Sequence, residues 1–176
     1  MAESERSGRC FCGKVRFTAR GEPKWVSHCH CESCRRATSS PFTTYAGYPS
    51  AAVTWLGEAP GIYHSTPGVT RKFCRNCGAP LSFEGGRWPG ETPLFVASFA
   101  QPEAFSPMIH VHAGEQLSWL HLADSLPRYH TTPRDGPPRW REAPPPKQVP
   151  CPRRGRPSAR SPTKRVECGS LCPESC

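Results

Sequence analysis

Along the first 135 residues apolar positions come in short runs, and Gly or Pro cuts each run before it reaches helical length. Val15-Arg16-Phe17-Thr18 is apolar at every second position, the pattern of a strand with one face on a core and the other in water. The same reading predicts strands at Lys14 to Thr18, Lys24 to His28, Phe42 to Tyr45, Ala52 to Leu56, Ile62 to His64, Thr70 to Phe73, Leu81 to Glu84, Leu94 to Ser98 and Met108 to His112. Helical turns are expected only at Cys31 to Thr38 and Gln116 to Ala123, both short. The expected fold class is mainly β, in one small domain.

That pattern stops near residue 132. The 41 residues from Gly136 to Cys176 hold 10 Pro and nine Lys and Arg against three Glu, and their large apolar residues besides Cys are Trp140, Val149, Val166 and Leu171. So few cannot offset the entropy of ordering the segment. The expected organisation is a small β-rich domain over 6–132 and a Pro/Arg-rich disordered tail over 133–176. Of the formal charge of +9, this tail segment carries +6, so the basic balance says little about what the domain binds. Arg154-Gly155-Arg156-Pro157 resembles the core of an AT-hook, which makes nucleic acid a partner to consider through the tail. No run approaches the roughly 20 apolar residues of a membrane span, and the polar start does not fit a signal peptide, so a soluble cytoplasmic protein is expected, with no membrane partner.

The cysteines change the picture. Eleven of them in a reducing compartment, an odd number, argue for metal rather than disulfides. Cys10-Phe11-Cys12-Gly13 places two thiols together, on one face if the chain there is extended, and Cys74-Arg75-Asn76-Cys77-Gly78 brings two together across a turn. Joined, the two pairs make a closed four-thiolate site of the structural zinc type. Between them Cys29-His30-Cys31-Glu32-Ser33-Cys34 supplies three thiols within six residues. Three protein ligands and an open position is a catalytic arrangement; a fourth ligand from His28, His30, His64, His110 or His112 would close the site instead, and an iron–sulfur cluster is a further alternative. Cys151, Cys168, Cys172 and Cys176 lack such spacing and are assigned no site.

Three ordered motifs, Gly8-x-Cys10-x-Cys12-Gly13-x-Val15-Arg16-Phe17, Cys29-His30-Cys31-x-x-Cys34-Arg35-Arg36 and Phe73-Cys74-x-x-Cys77-Gly78, resemble the glutathione-dependent formaldehyde-activating enzyme family, whose domain also occurs in centromere protein V. The resemblance extends to Gly21-x-Pro23, Pro41-Phe42, His110 to Trp119 and Leu126-Pro127-Arg128-Tyr129, and covers roughly residues 8 to 130, the size of an ordinary domain. It implies a small Mss4-like (β-tent) fold with two Zn²⁺ per chain: a structural zinc on Cys10, Cys12, Cys74 and Cys77, and an active-site zinc on Cys29, Cys31 and Cys34. Ser39 departs from the family, which often has Gly after the Arg-Arg-x-Thr run.

Zinc on three thiolates carries a formal charge of about −1 and is a poor activator of water, but it can hold a further thiol as thiolate. This suits carbon–sulfur lyase chemistry on a thiol–formaldehyde adduct, with glutathione as the small-molecule thiol the resemblance implies. The competing expectation is a non-catalytic zinc module whose basic tail binds DNA or a protein. Arg35 and Arg36 could pair with carboxylates of a peptidic thiol, or be plain surface charges. His30, between two ligands on an extended segment, should point away from the metal. His110-Val111-His112 is either a metal pair or two ordinary strand positions. Trp25, Trp55, Trp88 and Trp119 are expected in the core or on a pocket wall.

Overall fold

The computed structural model describes residues 4–138. The expected disordered tail, its AT-hook-like motif and its four cysteines lie at 139–176, outside the described residues, while 133–138 are described. Among the described residues ten strands form two sheets. β1 (Glu5–Arg9), β2 (Val15–Arg20) and β5 (Val53–Gly57) make a three-stranded antiparallel sheet in the order β1-β2-β5. β3 (Trp25–Cys29), β4 (Thr43–Pro49), β6 (Gly61–Thr66), β7 (Val69–Phe73), β8 (Pro80–Gly85), β9 (Glu91–Phe95) and β10 (Ile109–Val111) make the second, ordered β10-β3-β4-β9-β8-β7-β6. Its pairings are antiparallel except that β10 runs parallel to β3. The single α-helix among the described residues, α1 (Glu32–Thr38), follows β3.

Alternation in β2 buries Val15, Phe17 and Ala19 and leaves Arg16 exposed and Thr18 half-buried between them. Phe17 meets the edge of Phe99 at a ring-centroid distance of 5.0 Å and of Trp55 at 5.6 Å, and Tyr48, Leu81, Leu94 and Val26 complete this core. A second buried group, Tyr45, Phe95, Cys29 and Cys34 with Trp25 and Phe83 against it, lies under the middle cysteine cluster.

Three expectations need correction. β1 escapes the hydrophobic pattern because its one buried residue is Gly8, which the Phe17 ring covers across the β1–β2 register. Residues Val96–Ser98 turn into a short 3₁₀ segment instead of prolonging β9. The expected helical turn at Gln116 to Ala123 shrinks to one hydrogen-bonded turn, Leu120 N–H to the Leu117 carbonyl at 3.0 Å, with the rest a loop. Side chains take up two of its carbonyls, Gln116 Nε2 that of Leu120 and Arg128 that of Leu122, and Arg128 also bonds Gln116 Oε1.

Candidate metal centre

The first cluster forms at two turns. Cys10 to Gly13 closes the β1–β2 hairpin, with Gly13 N–H donating to the Cys10 carbonyl at 3.1 Å and Gly13 at φ 79°. The two thiols are therefore gathered by a tight turn, not by the extended chain expected from their spacing, because the hairpin must reverse there. Cys74 to Ala79 joins β7 to β8 in a similar way, with Gly78 at φ 72° donating to the Cys74 carbonyl at 2.9 Å. Left-handed backbone follows each Cys pair, and glycine adopts it without steric cost. All four sulfurs lie within 4.8 Å of one another, Cys10 to Cys12 at 3.6 Å and Cys12 to Cys74 at 3.7 Å. A tetrahedron with Zn–S bonds of about 2.3 Å has an edge of about 3.8 Å, so the spacing fits zinc. The Lys14 N–H and the Asn76 side chain pull the Cys12 thiol down to about 6, toward the thiolate a metal needs.

The middle cluster sits where β3 ends. Cys29 is its last residue, Cys31 is the N-cap of α1, and Cys34 lies in the first helical turn, its N–H donating to Cys31 Sγ at 3.3 Å. The three sulfurs lie within 4.8 Å of one another. The Tyr45 hydroxyl, deeply buried, donates to Cys34 Sγ at 3.4 Å. Hydrogen bonds from Cys29 and Cys31, then from Tyr45, together with the charge of Arg71, hold the Cys34 thiol far below its ordinary value. Bonding to Cys31 and Cys34 and then burial push Cys29 up. Each cluster could hold a metal ion.

No fourth His, Cys, Asp or Glu joins the middle sulfurs among the described residues, and the five candidate histidines are engaged elsewhere. His64 bonds Thr70, and His112, at φ 54° just beyond β10, bonds Glu115. His28 bonds Thr44 at 2.9 Å, and burial drives it down to about 4. His30 points away from the sulfurs, as the alternation predicts, and its Nε2 lies 2.8 Å from Nδ1 of the fully buried His110. His110 Nε2 is in turn 3.0 Å from both oxygens of Asp124. A carboxylate only accepts, so His110 donates from Nε2 and accepts at Nδ1 the hydrogen bond that the His30 Nε2–H donates. His110 and His112 are therefore not a metal pair.

Of the two arginines after the cluster, Arg35 is structural, donating to the carbonyls of His30 and Glu115. Arg36 is exposed and pairs with Glu32 at 2.7 Å. Trp25 and Trp88 line the cavity beside the cluster, Trp55 packs on Phe17, and Trp119 is exposed, contrary to expectation. That cavity, about 1010 Å³, is walled by Cys29, Cys31, Cys34, Tyr45, Phe83 and Phe95 among others. It is large enough for a small peptide-like ligand.

A family model described as glutathione-dependent formaldehyde-activating enzyme matches residues 5–115 of this chain. The chain belongs to this family. The fold is the small, mainly β, Mss4-like one that the resemblance implied. An uncharacterized lyase of Schizosaccharomyces pombe is 36% identical over 92 residues, which are 52% of this chain and 65% of that protein, so the match spans less than two thirds of the relative. A crystal structure of a Rhodobacter sphaeroides protein superposes with a TM-score of 0.43 at 23% identity, over 52% of this chain and 85% of the other. The family match ends before Asp124 and Arg128, which nevertheless secure the loop between Cys29 and Cys31.

Sequence reasoning missed Tyr45, Asp124 and Arg71. Each is 11 or more residues from the nearest cysteine of the middle cluster, and no spacing marks it. Tyr45 stood out in the sequence only as the last residue of an expected strand.

Proposed function

We propose that this chain is a zinc-dependent carbon–sulfur lyase acting on adducts of formaldehyde with glutathione or a similar thiol. Cys10, Cys12, Cys74 and Cys77 would hold a structural zinc, and Cys29, Cys31 and Cys34 a second zinc at the reaction centre, all within a domain spanning 6–132. The observation that carries the reading is a three-sulfur cluster on a cavity wall with no fourth protein ligand among the described residues. Zinc, when bound there, supplies a soft Lewis acid that favours a further sulfur ligand in its deprotonated form. A reducing, cytoplasmic compartment suits seven thiols kept available as ligands.

In the synthetic direction the thiol sulfur adds to the carbonyl carbon of formaldehyde. A carbon–sulfur bond forms, the C=O pair moves onto oxygen, and that oxygen takes up the proton the thiol gives up. The lyase direction reverses each step. Cys29, Cys31 and Cys34 hold the centre, and Tyr45 donates to the Cys34 sulfur, fixing its orientation. Phe83, Phe95 and Trp25 provide an apolar wall that limits competing water.

Thiols add to formaldehyde unaided, so the test compares rates above that background for wild type and Cys31→Ser at equal thiol and aldehyde. The variant should retain one zinc per chain and fall to the background rate. Equal rates in both proteins would remove the catalytic reading.

A further inference from the structure

The cavity wall carries Arg36, Arg71, Lys72, Arg87 and Arg134 against the single acid Glu91. Three of the five cations are already paired with a carboxylate. Lys72 pairs with Glu84, Arg36 with Glu32, and Arg87 with Asp135 at 2.7 Å. Arg134 donates to the Arg87 carbonyl at 2.6 Å, and Glu91 is held by Lys24 and the Trp25 indole N–H.

Arg134, like Arg71, has no carboxylate partner among the described residues, but it is exposed, whereas Arg71 is half-buried. Arg71 lies on β7, opposite Phe83 of β8 and Tyr63 of β6, and all three side chains line the cavity. Its guanidinium packs over the Phe83 ring at 5.7 Å from the centroid, and Nε donates to Ser65 Oγ at 3.3 Å. Nη1 is shielded from solvent and has no hydrogen-bond partner, and no carboxylate lies within ion-pair distance of Arg71 among the described residues. A shielded guanidinium N–H without an acceptor is costly, and a planar fork of donors matches a carboxylate. The side chain lines the same cavity as Cys29, Cys31 and Cys34. A peptide-like ligand that fills this cavity with its sulfur at the cluster would meet Arg71 on the same wall.

We infer that Arg71 anchors a carboxylate of the thiol substrate, so that the site selects an acidic, peptide-like thiol over a neutral one. This rests on the reading of the middle cluster as a thiol-binding centre. It also reassigns to β7 the carboxylate-binding role that the sequence suggested for Arg35 and Arg36.

The test measures binding to the full-length, zinc-loaded protein by calorimetry, with quenching of tryptophan fluorescence as a second readout. The probes are glutathione, glutathione diethyl ester and 2-mercaptoethanol. Wild type should bind glutathione about 10- to 100-fold more tightly than the diester, the range for a charge-assisted hydrogen bond. Arg71→Gln should lose that preference, with the affinity for the diester and for 2-mercaptoethanol within about 2-fold of wild type and the zinc content unchanged. Arg71→Lys, which keeps charge but not the fork, should fall between them. Equal wild-type affinity for acid and ester would overturn the assignment of Arg71 and leave the thiol centre standing. So would an Arg71→Gln variant that weakens all three thiols alike or loses zinc, which would make Arg71 a counter-charge to the cluster. Failure of wild type to bind any of the three thiols would instead remove the thiol centre itself.

Discussion

Replacing Asp124 by Ala should destabilise the domain and loosen the middle metal site together. Asp124 accepts from His110 Nε2 with both oxygens at 3.0 Å, and from the Leu126 N–H and Arg128. His110 is fully buried, so truncation leaves its N–H without an acceptor away from water. That loss costs about 1.5–3 kcal/mol for a bond to a charged group, and the partly exposed Arg128 pair adds up to about 1 kcal/mol. A total of roughly 2–4 kcal/mol follows, measurable by urea unfolding of the zinc-loaded protein with linear extrapolation. Because His110 also fixes His30 between Cys29 and Cys31, zinc affinity at the middle cluster should fall about 10-fold in a chelator competition, with the first cluster unaffected. Asp124→Asn keeps an acceptor for His110 and should cost about 1 kcal/mol. An Asp124→Ala protein within about 0.5 kcal/mol of wild type, or indistinguishable from Asp124→Asn, would refute the argument.

Ser39 ends α1 at φ 51° and ψ 37°, with its side chain exposed, so Ser39→Gly should raise stability by about 0.5–1 kcal/mol through relief of the left-handed backbone. Thermal denaturation followed by circular dichroism should show a midpoint a few degrees higher, and a fall would contradict the assignment. Zinc affinity at the middle cluster should rise steeply with pH. Without metal, Cys34 is driven down while Cys29 is driven up; Cys31, for which the pull of Cys29 is outweighed by Cys34 and burial, is pushed up to about 11. Loading zinc must then displace about two protons, a gain of roughly 100-fold per pH unit between about 6 and 8. Chelator competition across that range measures it, and a flat profile would exclude the proton displacement.

The donor pairs were legible because they are local. Two cysteines separated by one or two residues meet through the backbone turn between them, whatever the rest of the chain does, and a Gly after each pair of the first cluster marks the left-handed residue that closes the turn. The strand pattern was legible for the same reason in β2, where the alternation of Val15, Phe17 and Ala19 is the buried face itself. Where a strand's buried residue is Gly8, or where the Gln116 and Arg128 side chains take up carbonyls that a helix would have used, local pattern misleads.

The sequence by itself therefore determined which seven cysteines group at spacings that could hold metal, and the mainly β character of the domain. Tertiary structure decided whether the middle site is closed or open, because that depends on where five histidines from separate segments point. Strand order and register carry His30 and His110 into a buried stack ended by Asp124, and the same register sets Arg71 and Tyr45 on the cavity side with the cluster. Such contacts join residues tens of positions apart. They form only when the whole fold offsets the entropy of bringing distant segments together, and short-range spacing holds no trace of that balance.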